Sequence, residues 1–437
     1  MSRTGKLQRS LGLFELTMMG IGVTIGSGLF VITGVAAAEH AGPGLVLSFI
    51  ISGIACGCAA LCYAELASCM PASGGSYTFV YAGLGEIFAW FIGWCLTLEY
   101  VVGLSAIAAG WSAYVSGLLP PQIPREFLSE GDMNIPAMAL IAMMTLLQLR
   151  GSKESARMGN ILVFVKLTVI AAFILLAAGS IRPENYDPFL PFGWQGVFSG
   201  AAVVFFAYLG FDAIANSAEE VKNPQQNMPR ALLWSLAIVT VLYIAVTLVL
   251  TGVAKYYEYE GIAAPVAFAL DKAGIRWGFG LVSAGAIAGL STGALVFIGS
   301  ESRLIYSMAR DGLMPKLFSK VTKKGVPGRA VICVWFFGSI MAGLLPIDTI
   351  AELCNMGTLW AFSLAAITVI VMRRTHPGLR REFQTPFVPF IPAAAILMCA
   401  VLAVQLDKVT WTVFGGWTLV GICIYLLYGY WNSRLRR

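Results

Sequence analysis

The chain has 437 residues, of which 58% are apolar and only 12% charged, with a formal net charge of +6. A soluble protein of this length needs about a quarter of its residues charged to wet its surface, so the solvent here is largely lipid. The basic residues sit in short loops between apolar runs, without a basic stripe or aromatic-spaced patch, which excludes a nucleic-acid partner.

A spanning helix needs about 20 mostly apolar residues. On that measure the sequence predicts an all-α polytopic membrane protein of about 12 transmembrane helices in one transporter domain, 1–437. The segments fall at roughly 11–38, 44–69, 84–118, 134–150, 158–180, 195–218, 230–252, 278–309, 330–346, 350–372, 386–404 and 411–431. Met1 to Ser10 is polar, and the run behind it is too long and glycine-broken for a signal-peptide core, so it reads as a retained first span. The connections Gly252 to Trp277 and Asp311 to Arg329 are long enough for short helices lying on the surface. Placing the N-terminus in the cytoplasm puts 22 of the 29 basic residues on the inner side and 6 outside, leaving Lys166 within a span. That bias sets both termini inside. The nine cysteines, including Cys56-Gly57-Cys58, lack metal-ligand spacing and read as small membrane hydrophobes, with no metal site and no disulfide framework.

The first span contains Gly20, Gly22, Gly26 and Gly28 within nine residues. Each glycine costs a helix about 1 kcal/mol relative to alanine. Glycines in membrane helices often serve close packing. Clustered at mid-membrane with Thr24 and Ser27, these instead predict a break near Ile25-Gly26-Ser27-Gly28. The half-helix beginning there would favour an anion such as a carboxylate. A nucleotide-binding glycine loop has similar spacing, but it needs a preceding strand and a soluble domain.

The sixth span carries Phe205-Phe206-Ala207-Tyr208-Leu209-Gly210-Phe211-Asp212, with Gly210 able to relax the helix just before Asp212. Span one opens a block of five spans and span six opens the next. Paired interruptions at corresponding positions point to a transporter of inverted repeats with its substrate between the breaks. The first repeat then covers about 11–180, the second about 195–372, and two peripheral helices about 386–431.

Several ordered stretches carry a family resemblance. They are Leu11-Gly12-Leu13-Phe14 leading into Gly26-Ser27-Gly28-Leu29-Phe30, Tyr63-Ala64-Glu65-Leu66, Pro71-Ala72-Ser73-Gly74-Gly75-Ser76-Tyr77, the segment ending at Asp212, Glu219-Glu220-Val221-Lys222-Asn223-Pro224 and Ser307-Met308-Ala309-Arg310-Asp311-Gly312. Together they resemble the amino acid–polyamine–organocation transporter superfamily, nearest to bacterial relatives of the cationic amino acid transporters. The resemblance implies a LeuT-type 5+5 inverted repeat with helices 1 and 6 broken. It also implies that the backbone at Ile25, Gly26, Ser27 and Gly28 takes a substrate carboxylate. Carbonyls at Phe206, Ala207 and Leu209 would take the ammonium, and Phe206 would cap the substrate as a gate.

Lys166 lies in the middle of an apolar span, about 12 Å of helix beyond Met158, too deep for ready snorkelling. A charge at that depth must face the bundle interior or lose its proton, which makes a proton-releasing switch feasible. In proton-coupled members of the resembling family a lysine occupies this position where sodium-coupled relatives bind an ion. Glu99, mid-span in span three, has two readings: a partner of Lys166 or a proton carrier, or a carboxyl that fixes helix packing. Glu65 reads as structural. Glu219 and Glu220 with Lys222 and Arg230 read as a solvated inner loop or gate.

These residues predict proton-coupled symport of a small or neutral amino acid, with protons as the coupling ion and no other cofactor. The side-chain pocket would involve Ser291, Thr292 and Phe297. An obligatory exchanger, of an amino acid for another or for its amine product, is a second reading. Uptake of cationic amino acids and a transporter-like sensor rank below it. With His40 and His376 the only histidines, both near span ends or in loops, an intramembrane enzyme lacks a catalytic constellation.

Overall fold

The computed structural model describes residue 9 and residues 11–26, 28–118, 133–262, 264–275, 277–344 and 347–434. The architecture is all-helical. Among the described residues, eight runs are long and apolar enough to cross a membrane, and three shorter apolar helices accompany them. The chain is a multi-pass membrane protein.

The first run, Leu13–Cys69, has 57 residues. At 1.5 Å per residue it is far longer than the roughly 30 Å of a bilayer's hydrocarbon core. It is interrupted twice. Helix α1 (Leu13–Thr24) ends where Ile25 turns extended, with φ −79° and ψ 95°. The chain resumes as α2 (28–41), largely π-helical, and turns at Gly42–Gly44, where Gly42 has φ 59°. Helix α3 (Leu45–Cys69) completes the run.

Helices α4 (Ser76–Gly83), α5 (Glu86–Leu118), α6 (Ile135–Arg150) and α7 (Ser152–Ala177) follow. Asn134 caps α6, accepting from the Ala137 amide at 3.2 Å with Pro136 in the first turn. Helix α8 (Gly193–Val204) tightens into a 3-10 turn, Phe205–Tyr208, and stops at Leu209 and Gly210. Gly210 has φ 93°, a left-handed conformation in which a side chain is strained. A 3-10 helix, Phe211–Glu220, then leads to α9 (Pro224–Val253). The connection beyond α9 forms a 3-10 turn, Tyr256–Tyr259, and α10 (Pro265–Lys272). The expected short helix is present, but Pro265, Val266, Ala267, Ala269 and Leu270 are buried, so it packs into the bundle instead of lying on the surface. There follow α11 (Gly278–Arg310), α12 (Gly328–Leu344), α13 (Ile347–Thr375), α14 (Phe390–Val404) and α15 (Lys408–Ile424), which runs on through Tyr425–Gly429 and Tyr430–Asn432.

Burial separates core from rim. The most apolar windows of α5 and α11 are 78% buried and that of Gly193–Glu220 is 83% buried. The window over α7 is 33% buried and that over α15 only 22%, so α15 lies at the edge and α7 is half lipid-facing. Two tryptophans dock α15. The rings of Trp94 and Trp417 stack with centroids 4.4 Å apart, and each indole N–H donates to the other residue's carbonyl.

Glu65 has the structural place expected of it. Its carboxylate accepts two bonds from Arg373 at 2.9 and 2.8 Å, one from Arg381 at 3.1 Å and one from the Thr385 amide at 2.8 Å. This cluster pins the α13–α14 connection to the end of α3.

Candidate functional site

The two helix breaks meet in the core. A methyl placed on Gly28 would lie 2.3 Å from Ala207 Cα, so the backbones touch there with no room for a side chain. At the second break, a methyl on Gly210 would lie 2.5 Å from Val23 Cγ2. Gly26 differs: it is buried, yet a methyl there would meet nothing nearer than Val23 O, at 3.8 Å.

The ends facing each other carry opposite partial charge. The Gly26 carbonyl accepts from the amides of Leu29 and Phe30, both at 3.2 Å, so α2 begins at the break with its positive end. Phe205–Tyr208 ends at the second break with its carbonyl end. Phe206 O accepts from the Leu209 amide at 3.2 Å. Ile25, Phe206, Ala207 and Leu209 are all buried, and Gly26 and Gly28 lie with them. Ser27 lies outside the described residues. The structure thus brings the sequence-predicted segments together.

Lys166 is fully buried on α7 and aims at the carbonyl end of α1. Its Nζ donates to Gly22 O at 2.6 Å, Ile25 O at 2.8 Å and Ile21 O at 3.1 Å. An ammonium has three donors, and these three carbonyls use them all. The expected pairing of Lys166 with Glu99 is therefore corrected. Glu99, fully buried on α5, instead has Asp212 and Glu301 within electrostatic reach. The carboxylate oxygens of Glu99, Asp212 and Glu301 have no hydrogen-bond partner of good geometry among the described residues. The hydroxyls nearest Glu99 and Glu301, those of Thr358 and Thr97, donate to the helix carbonyls of Cys354 and Gly93. The nearest donors to Asp212 are its own amide and that of Ala213.

Sequence reading missed Tyr243. From α9 its hydroxyl lies 2.7 Å from Thr24 O and 2.6 Å from Ala207 O, so one O–H is shared between the two breaks. A tyrosine buried in a spanning helix needs a partner for its hydroxyl, and that rule was the available signal. Tyr243→Phe should cost about 1–3 kcal/mol, because it strips a donor from buried carbonyls. The expected result is a folded protein with a lower melting temperature in detergent and slower transport. An unchanged melting curve together with unchanged uptake would show that the bridge carries no load.

The expected side-chain pocket residues are partly committed elsewhere. Ser291 accepts from Trp111 Nε1 at 3.1 Å and donates to Ile287 O, while Thr292 donates to Gly289 O at 2.6 Å. Phe297 packs edge-on against Tyr100, 5.6 Å between centroids, and lies against Gly103, with Gly210 behind Val23 also within its reach.

At the end of the bundle that carries Leu11, a crevice runs between α1, α7 and α11. Glu15, Gly22, Ser155, Val163, Thr292 and Arg303 are among its lining residues. Beside it, Leu11 pairs with Val221 in a parallel bridge, through Leu11 N to Glu220 O and Lys222 N to Leu11 O. Reading Glu220 as part of a solvated loop with Lys222 and Arg230 is corrected here. Glu220 is 1% exposed and accepts two bonds from buried Arg303, at 2.7 and 3.2 Å. Glu219 accepts instead from Arg310 and from Ser73.

Removing one member of a buried ion pair costs about 3–5 kcal/mol, because the other is left buried and unpaired. Glu220→Ala and Arg303→Ala should therefore each lower the melting temperature, and the double variant should lose less than the sum of the two single losses. Equal and additive losses in a double-mutant cycle would show that the two charges are not coupled.

Comparison with known proteins agrees with this architecture. A family described as "Amino acid permease" matches residues 11–426. The chain is 45% identical to a methylthioribose transporter of Bacillus subtilis (strain 168), over 100% of this chain and 96% of that protein. It is 43% identical to the branched-chain amino acid permease BcaP of the same organism, over 99% and 95%. Cationic amino acid transporter 4 of Homo sapiens is 34% identical, over 84% of this chain and 60% of that protein.

Proposed function

The chain belongs to the amino acid permease family, and from that premise we propose that it is a proton-coupled symporter of a small neutral amino acid, bound between the two helix breaks. A transporter of this family is not an enzyme. The observation that carries the reading is the meeting of Gly28 with Ala207. It sets the amide end of α2 against the carbonyl end of Phe205–Tyr208, and a zwitterion offers a carboxylate to the first and an ammonium to the second.

On this reading the twelve spans form a LeuT-type 5+5 inverted repeat with two peripheral helices. The breaks fall in the first span of each repeat, which supports that arrangement. The backbone of Ile25, Gly26, Ser27 and Gly28 holds the carboxylate, with Gly26 offering the room. Phe206, Ala207 and Leu209 carbonyls face the ammonium, and Phe206 gates the site. Lys166 carries the coupling proton where it caps α1, and Glu99 is a second candidate carrier. Val23 and Phe297, which lie against Gly210, give the neighbourhood of the second break apolar walls, which suits a neutral substrate. The identity to a branched-chain amino acid permease supports the same class. The lysine and arginine bias supports both termini on the inner side, and the bacterial relatives support the cytoplasmic membrane.

The test is uptake into proteoliposomes of a panel of amino acids together with methylthioribose, which the relative at 45% identity requires. Accumulation of a neutral amino acid driven by an inward proton gradient, without sodium, is expected. Uptake that appears only in liposomes preloaded with substrate would make this an exchanger. Accumulation driven by sodium alone would remove the proton from the mechanism.

A further inference from the structure

Away from the breaks, basic side chains gather where α6 meets α7 and between α11 and α12. At the α6–α7 junction, Arg150 and Arg157 are exposed. Between α11 and α12, so are Lys316, Lys320, Lys323, Lys324 and Arg329, and residues 316–329 contain no acid. None of these seven side chains pairs with a carboxylate among the described residues.

The fold joins the two stretches. A methyl on Gly151 would lie 3.8 Å from Lys324 O, and one on Gly328 would touch Thr322 and approach Leu149. The patch also borders an apolar surface that faces outward. Leu146 on α6 is 65% exposed, Ile161 and Phe164 on α7 are 52% and 55% exposed, and Leu317 is 50% exposed. Ile161 stands one helical turn, about 6 Å, beyond Arg157. Cations set within a turn of a lipid-facing apolar surface match the chemistry of a membrane boundary, where anionic headgroups collect.

Helix α7 gives the patch a consequence. Its first turns, through Ser155, Ala156, Gly159 and Asn160, form one wall of the crevice. Two turns further on, it supplies Lys166 to α1. We infer that the Arg150–Arg157 and Lys316–Arg329 face binds the headgroups of anionic phospholipids, and that this binding holds the start of α7 and so controls opening of the crevice. The inference needs no particular transported substrate.

The test uses the full-length protein in vesicles of phosphatidylcholine with and without phosphatidylglycerol. Lys316, Lys320, Lys323 and Lys324 are replaced together by glutamine, and in a control together by arginine. Retained phosphatidylglycerol is counted by native mass spectrometry. Crevice opening is followed as the alkylation rate at position 156 in an Ala156→Cys background, read at that peptide. Wild type and the arginine variant should retain phosphatidylglycerol, with alkylation changing about fivefold when it is present. The glutamine variant should lose both effects while keeping its melting temperature. Equal lipid retention in wild type and the glutamine variant would overturn the site. Retention without a change in alkylation would overturn the control of α7. The same effect from soluble glycerophosphate in plain phosphatidylcholine vesicles would overturn the assignment to lipid.

Discussion

Lys166→Met is expected to abolish proton-driven accumulation while leaving substrate counterflow measurable. The side chain is fully buried and its ammonium meets the carbonyls of Ile21, Gly22 and Ile25 at the end of α1. Ile21 O also accepts from the Ile25 amide, whereas Gly22 O and Ile25 O are the kind of carbonyl that a helix terminus leaves open, and a cation there also opposes the negative end of the helix dipole. A lysine that gains and loses its proton in this place would tighten and release the end of α1, which is one wall of the proposed substrate site. Methionine keeps the length and the apolar stem but supplies no donor and no proton. Hydrogen bonds to a charged group contribute about 1.5–3 kcal/mol each, so the melting temperature should also fall. The deciding readout is the split between driven uptake and counterflow, measured across external pH in the same liposomes. A variant that still accumulates substrate down a proton gradient would remove Lys166 from coupling. A loss of counterflow equal to the loss of driven uptake would make it a structural cap.

Gly28→Ala is expected to eliminate transport outright, whereas Gly26→Ala should leave a folded protein with weakened substrate binding. The contrast follows from what each methyl would meet. At Gly28 it would lie 2.3 Å from Ala207 Cα and 2.9 Å from Ala207 N, both backbone atoms that cannot swing aside. The two breaks would have to separate, and with them the Tyr243 hydroxyl that lies between Thr24 O and Ala207 O. Overpacking of a tight core typically costs about 1–3 kcal/mol, and here the strain falls on the site itself. At Gly26 the methyl has space, with Val23 O at 3.8 Å as its nearest neighbour. That space is the proposed seat of the carboxylate, so the variant should bind at least tenfold more weakly, about 1.4 kcal/mol. Substrate-induced thermal shift and uptake, measured on both variants, check the pair. Normal transport by Gly28→Ala would show that the breaks need not touch. Unaltered affinity in Gly26→Ala would move the carboxylate elsewhere.

The amino-acid sequence by itself determined the membrane class, the positions of both breaks and the depth of Lys166. Each of these is a local property. Apolar runs of spanning length report lipid as solvent, four glycines in nine residues weaken one stretch of helix, and a lysine in an apolar run stands out against its neighbours. The short helices between α9 and α11 were legible in the same way, from composition along one stretch of chain.

Only the tertiary structure decided the partners. Lys166 was placed correctly, but its three acceptors lie more than 140 residues away on α1, and Glu99 is not among them. Tyr243 reaches Thr24 across 219 residues and Ala207 across 36, and nothing in the pattern of α9 marks it as a bridge. Glu220 looked like a loop acid beside Lys222, yet it turns inward to Arg303, 83 residues on. The physical reason is the same in each case. A spanning helix of this protein is apolar around nearly its whole circumference, so its sequence carries little of the amphipathic period that tells which side faces the bundle. Direction is set when helices pack and buried polar groups must find one another, and that choice exists only in three dimensions.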